Sequence, residues 1–412
     1  MSERTDALQR LRGAHEAAVL GELRRSGALS RSELMKRVGL SRTTLFRIVS
    51  DLLERKAVVE QPTPQDGPRR NGRPPLEIAL NAHGAELIGI DLRRDQIQVV
   101  IANCAHEFVG RYSAPLSRAG EPEQAAAQAV AAVEELVRRE SISLAPLQAI
   151  GLGLVGFVRD PASQVPHDMT PFAGQIATAL GERFGAPVRT DNNARLAALA
   201  EATWGAGRGL RNIVYLRWAH GVGGGLVVDG RLVHGAHGTA GEIGHTSCDP
   251  EGPPCHCGGR GCLEGAVSIP ALLGACAARG AAVADADELT ARAAEGDPVA
   301  VEVVREAAVT VGRTLAALAG HLDPECILID AEPAALGGLV LDHVAEQVAA
   351  LSLPAAARTI AVRPATLGAD AAARGGVALL LHTASTAGGD PASGGDPASA
   401  AAAAGLGAVP GC

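Results

Sequence analysis

Residues 241–264 read GEIGHTSCDPEGPPCHCGGRGCLE, and this stretch limits what the chain can fold into more than any other. Nine residues separate His245 from Cys255; Cys257 lies two positions on, and four residues separate it from Cys262. One imidazole and three thiolates form a closed tetrahedral ligand set of the kind that holds structural zinc, with no position left for water. Gly258, Gly259 and Gly261 let the backbone fold tightly enough for the thiolates to face one point. Disulfides or scattered buried cysteines are the other ways to read such a pattern. The start, MSERTDALQR, is charged and unlike a secretory signal, and cysteine is sparse elsewhere, so a reduced cytoplasmic setting and a metal are expected. The expected ligands are His245, Cys255, Cys257 and Cys262, around one Zn2+. His256, between two ligands, points away from them, and Cys248 is left unassigned.

A chain of 412 residues has room for two or three domains. Its net charge of −8 hides an asymmetry: residues 1–80 hold 15 Lys and Arg against 10 Asp and Glu, and the remainder 22 against 35. A basic head on an acidic body implies that the head meets a polyanion. No run of eighteen apolar residues occurs, so no spanning helix is expected.

Within the head, residues 14–25 carry Ala18, Val19 and Leu23 at helical spacing, and Gly27 breaks the pattern. Ser30 followed by Glu33 is a capping box for a second helix. Gly39 makes a turn, and Ser41 caps a third helix, SRTTLFRIVSDLLERK. That is the pattern of a helix-turn-helix. Its second helix would enter the major groove with Arg42, Thr43, Thr44 and Arg47, while Leu45, Ile48, Val49, Leu52 and Leu53 face inward. Two short strands then flank PTPQDGPRRNGRPP, a polar loop that reads as a wing, with Arg69, Arg70 and Arg73 placed for phosphates or a narrow minor groove. A three-helix protein-interaction module with a solvated basic loop is the competing reading.

From Leu87 the pattern becomes that of an α/β body. LIGIDLRRDQIQVVIANCAHEFVGRY reads as a hairpin, residues 123–138 as an alanine-rich helix and LQAIGLGLVGF as a buried strand. A helix over 176–184 and a strand over 187–190 follow, delivering Asp191, Asn192 and Asn193 at a strand end, where ligands gather in such folds. A helix over 195–204, strands over 212–217 and 224–228, a long helix over 298–322 and a strand over 326–329 complete the pattern.

From about Ser30 to Leu381 the chain resembles the ROK family, whose members are sugar kinases and sugar-responsive repressors. The head ending in GRPP looks like that of the family's repressors. DNNARLAALAE resembles its sugar-site helix, DGRLVHGAHGTAGEIGH its long signature and CHCGGRGCLE its zinc signature. The resemblance implies a two-lobed actin-like ATPase fold with sugar and nucleotide between the lobes. By similarity the sugar would meet Asn192, Asn193, Glu242, His245 and Glu264, with Asp168 a weaker candidate. His245 would ligate zinc through one ring nitrogen and offer the other to a hydroxyl.

The resemblance also shows losses. Family kinases carry an aspartate where this chain has Asn193; an amide can bond a hydroxyl but cannot take its proton. The first phosphate loop of the family, Asp-x-Gly-Gly-Thr, is here Asp91, Leu92, Arg93, Arg94 and Asp95. A Gly-Thr-Gly loop is Ala219, His220, Gly221, and a Gly-Gly after CILI is Asp330-Ala331. No catalytic residue is therefore expected. A closing helix is expected over 369–381, then a low-complexity tail over 383–412 with GGDPAS in tandem. The domains expected are a winged head over 1–80, a sugar-sensing body over 81–382 and that tail. Together these readings describe a cytoplasmic regulator, most simply a repressor, working as a homodimer or homotetramer on operator DNA under control of a sugar or sugar phosphate. The alternative is an active ATP-dependent sugar kinase carrying a DNA-binding head.

Overall fold

The computed structural model describes residues 2–62, 76–117, 122–158, 170–331, 338–354 and 359–387. The head contains α1 (Ser2–Ser26), β1 (Leu29–Ser30), α2 (Arg31–Val38), α3 (Arg42–Glu54), β2 (Val58–Pro62) and β3 (Leu76–Leu80). The helix starts follow from their caps. Ser30 accepts a bond from the Glu33 amide while the Glu33 carboxylate accepts one from the Ser30 amide, so both ends of the capping box form. Gly39, at φ 70, closes α2 in the left-handed conformation, and Ser41 caps α3. Leu45, Ile48, Val49 and Leu52 pack under Val19, Leu20 and Leu23 of α1; each such side chain contributes roughly 1.5–3 kcal/mol by leaving water. The three strands pair antiparallel in the order β1-β3-β2 and form the base of the wing. Arg69, Arg70 and Arg73 lie outside the described residues. The first helix begins at Ser2, far upstream of the expected start at residue 14.

The first lobe of the body contains β4 (Ala85–Leu92), β5 (Gln96–Asn103), β6 (Phe108–Pro115), α4 (Pro122–Arg139), β7 (Ala149–Leu154), α5 (Thr170–Phe184) and β8 (Val188–Asn192). After α6 (Asn193–Trp204), the second lobe contains β9 (Ile213–Trp218), β10 (Val222–Val228), β11 (Arg231–Leu232), α7 (Leu263–Val267), α8 (Ile269–Ala278), α9 (Ala286–Ala294), α10 (Pro298–Leu322), β12 (Cys326–Ala331), α11 (Gly338–Leu351) and β13 (Ala361–Pro364). The last helix is α12 (Ala371–Ala387). It runs past Thr383, where the tail was expected to begin.

Both lobes are wired identically. The first sheet has the order β6-β5-β4-β7-β8 and the second β11-β10-β9-β12-β13, each an antiparallel meander joined to two parallel strands. The outer face of the first sheet is covered by α4 and α5, and that of the second by α7 to α11. Between the lobes lie α6, against the second sheet, and α12, against the first, packed on each other. The glycines of β10 set that spacing. A Cβ on Gly223 would fall 2.9 Å from the Ala194 Cβ, and one on Gly225 3.1 Å from the Arg195 Cα, so these two glycines are the seat of α6. This sandwich brings the carboxyl ends of β4 and β8 to face the loop after β11.

Candidate functional site in the interlobe cleft

After β11 the chain crosses to a single 3-10 turn, Ile243–His245, which presents His245. The following loop returns Cys255, Cys257 and Cys262 to the same point, and Cys262 is the cap residue of α7. The donor atoms of His245, Cys255, Cys257 and Cys262 all lie within 4.8 Å of one another. Tetrahedral zinc with ordinary bond lengths separates two sulfurs by about 3.8 Å and a sulfur from a nitrogen by about 3.6 Å. Here Cys257 Sγ and Cys262 Sγ are 3.6 Å apart, and Cys255 Sγ and His245 Nδ1 3.6 Å. The four residues therefore fit a tetrahedral ion, and the described cysteines are free thiols. Burial opposes ionisation of Cys257, but the Gly259 amide and the neighbouring thiols bring it below the ordinary thiol value. Burial and the same neighbours push Cys262 up to about 12. A divalent cation at this point would relieve that conflict.

Nδ1 of His245 faces the thiols, which leaves Nε2 for the cleft. The ring lies tilted at 5.6 Å against Phe157, which follows β7 of the first lobe, and meets His256 edge-on at 5.0 Å. His256 does not turn fully away as expected: its Nδ1 lies 3.5 Å from Glu264 Oε1, and with His245 and Glu264 it forms a second group able to share an ion. Cys248 turns instead to Thr314, 3.4 Å from its hydroxyl. Glu264, in the first turn of α7, accepts the Val222 amide at 2.8 Å. Glu242 sits between Glu264 and Arg195. Burial pushes its carboxyl up to about 7; Arg195 opposes this, and Glu264 and Asp191 add to it.

Opposite these groups stand the ends of β4 and β8. Asn193 is buried and donates to Asp91 Oδ1 at 3.3 Å, and Arg93 Nε holds Asp91 Oδ2 at 2.9 Å. Asn192, expected beside the sugar, also holds the start of α6. Its Oδ1 caps α6 by accepting the Ala194 and Arg195 amides, and its Nδ2 donates to Gly156 O. The sequence held that signal, an asparagine before an alanine-rich helix, and α6 starts earlier than expected for this reason. Asn192 shapes the cleft wall with one N–H to spare. Asp168 lies outside the described residues.

Sequence reasoning missed a buried network beside the cleft. Arg195 is 1% exposed and spans both lobes. Its Nε bonds Asp191 at 2.7 Å, NH2 reaches Val158 O of the first lobe at 2.8 Å, and NH1 reaches Gly238 O in the loop after β11 at 2.7 Å. His234 Nε2 closes on the other oxygen of Asp191 at 2.7 Å. Burial would raise the Asp191 carboxyl, but His234 and Arg195 hold it below the usual carboxylate value. Only the i, i+4 spacing of Asp191 and Arg195 was visible in advance.

The residues expected to align with the family's phosphate loops have partners within the chain. Arg93 also donates to Ala369 O at 2.6 Å, and Asp330 accepts the Tyr215 hydroxyl at 2.8 Å. His220 and Gly221 form the tight β9–β10 turn. Arg94, His220, His256, Glu264 and Ser268 line a cleft of about 280 Å³ that adjoins the thiol cluster. On the head, Arg42, Thr43 and Arg47 are exposed on α3. Thr44 is half-buried, and its hydroxyl lies 2.8 Å from that of the capping Ser41, so it supports the helix start.

A winged helix-turn-helix joined to a two-lobed body of twice-repeated topology, with a polar cleft beside a cluster of one imidazole and three thiols, defines the class of kinase-fold proteins that carry a DNA-binding-type head. The chain belongs to the ROK family, whose defining pattern matches residues 87–383; the MarR family pattern matches residues 11–67 of the head. The chain is 31% identical over 309 residues to a glucokinase of Halalkalibacterium halodurans, covering 70% of this chain and 93% of that protein. It is 26% identical over 353 residues to a xylose repressor of Caldicellulosiruptor bescii, covering 82% of this chain and 88% of the repressor. Its fold is shared, at TM-score 0.69 and 22% identity over 96% of this chain and 98% of the other, with a ROK family transcriptional regulator homologous to the Escherichia coli Mlc protein.

Proposed function

We propose that this protein is a sugar-responsive transcriptional repressor that binds operator DNA as a homodimer or homotetramer in the cytoplasm, with a kinase-like body that no longer transfers phosphate. The observation that carries this reading is the pairing of a capped helix α3, bearing exposed Arg42 and Arg47, with a cleft whose base position is the amide Asn193. An amide can hold a sugar hydroxyl but is too weak a base to take its proton. Arg93 neutralises Asp91, the nearest carboxylate.

Asn193, Glu242, His245 Nε2 and Glu264 are the groups that would meet sugar hydroxyls, with Asn192 behind them. His245, Cys255, Cys257 and Cys262 would hold zinc, which supplies rigidity to the loop that carries His245 and Glu264. Arg195 bonds both lobes beside Glu242, so a ligand that draws on Glu242 acts on the joint between them. Such a ligand shifts DNA binding only if it prefers one lobe arrangement. The wing residues Arg69, Arg70 and Arg73 are proposed, with Arg42, Thr43 and Arg47, to meet the duplex.

The test is calorimetric titration of the purified chain with sugars and their 6-phosphates, followed by DNA binding with and without the sugar that binds. A sugar that binds and changes DNA affinity at least fivefold, with no sugar-dependent ATP turnover, is the expected result. Turnover at an enzymatic rate would instead favour a kinase, the reading to which the likeness to the glucokinase lends weight.

A further inference from the structure

The outward face of α3 carries Arg42, Thr43, Phe46, Arg47 and Ser50. Four of these are polar or charged, as suits a face that meets nucleic acid; Phe46 is not. The chain has five phenylalanines, and Phe46 is the one that stands exposed, at 42%. It is not a core residue displaced by poor packing, because Leu45, Ile48, Val49 and Leu52 fill the inner side of the same helix. Its ring is held from two directions. The guanidinium of Arg42, one turn earlier, lies 5.5 Å from the ring centre, and that of Arg31, at the start of α2, lies 5.3 Å away. Arg31 is itself anchored to Glu60 of β2 at 2.7 Å. The ring is therefore oriented in advance by cation–π contacts on a rigid helix.

A phenyl group offers no donor and no acceptor, so it cannot read the hydrogen-bonding edges of bases. The floor of the major groove presents one group that has neither, the 5-methyl of thymine. We infer that Phe46 is a specificity-determining residue that packs on a thymine methyl in each operator half-site, with Arg42 and Arg47 engaging phosphates or guanine on either side. This rests on the DNA-binding reading above.

The experiment uses the full chain. Duplexes are selected from a randomised pool, and each thymine of a recovered half-site is then replaced singly by deoxyuridine, which differs by that methyl alone. The wild-type protein should lose about fourfold in affinity at one thymine per half-site, the worth of one methyl group withdrawn from water. Phe46→Ala should bind the thymine duplex at least fourfold more weakly and show no difference between thymine and deoxyuridine at that position. Phe46→Leu should retain part of the difference. The ring is exposed, so the thermal transition of Phe46→Ala should match the wild type. If no deoxyuridine substitution weakens the wild type, or if Phe46→Ala keeps the full thymine preference, the inference is overturned while DNA binding stands. If the wild type enriches no duplex above the random pool, the DNA-binding reading itself falls, and the inference with it.

Discussion

Substitution of Arg24 by methionine tests how the head is fixed to the sensing body. Arg24 closes α1, and its guanidinium leaves the head. Nε donates to Cys104 O at 2.5 Å, and NH2 donates to both oxygens of Glu86 at 3.1 and 3.0 Å. The side chains of the pair are 14% and 5% exposed, so this is a largely buried ion pair. Removing one partner of such a pair costs about 3–5 kcal/mol, because the other charge is stranded. Glu86 would keep Gln148 Nε2 at 3.2 Å and His106 Nε2 at 3.3 Å, so a loss of about 2–3 kcal/mol is expected at this junction. That loss belongs to head docking and not to either core. Both tryptophans, Trp204 and Trp218, lie in the body, so fluorescence reports the body alone, whereas far-ultraviolet dichroism also senses α1, α2 and α3. In urea the wild type should give coincident transitions. Arg24→Met should separate them, with the dichroism midpoint falling first by about 1–2 M. Replacing Glu86 by leucine in the same chain should restore about 1–2 kcal/mol, since no charge is then stranded. Superimposable curves for Arg24→Met and wild type, or strict additivity in the double variant, would refute the reasoning.

Three further outcomes are expected. Elemental analysis should find about one zinc per chain, and Cys257→Ser should lose the metal together with roughly 10–100-fold in sugar affinity, read by calorimetry. Asn193→Asp should still bind sugar yet show no turnover near 1 s⁻¹ in a coupled ATP assay, because Arg93 and Asp330 remain committed where phosphate would approach. Burial raises the Glu242 carboxyl from 4.5 to about 7, so the folded state takes up a proton that the unfolded chain lacks. Stability is therefore full below about pH 4.5 and falls as pH rises toward 7; Glu242→Gln should remove that slope and be more stable by about 2 kcal/mol at pH 8 in urea titrations.

Features written in local sequence were legible in advance. The cap pairs at Ser30 and Ser41 and the glycine at position 39 determine helix ends within a few residues, and α2 and α3 form where they predict. The ligand spacing from His245 to Cys262 was equally readable, because a short loop must bring those side chains together. Contacts between distant segments were not. Arg195 joins Val158 to Gly238, and nothing in either neighbourhood marks a carbonyl as its partner. The identical wiring of the two sheets was hidden because their strands share a pattern of hydrogen bonds and not of side chains. Asn192 shows a third kind of limit, since its residue type suits both a cap and a ligand, and its cap bonds to α6 became visible only in the structure.

The position of α12 has a consequence for how the protein is made. Leu87, Val100 and Ala102 of the first sheet are covered by Ala373, Val377 and Leu380, which are synthesised roughly 270 residues later. At ordinary elongation speeds of about 5–20 residues per second, that apolar surface stays bare for tens of seconds after its own strands have been synthesised. A nascent chain in this state is a natural client for chaperones. A premature stop codon just ahead of α12 would thus spoil the half of the body translated first.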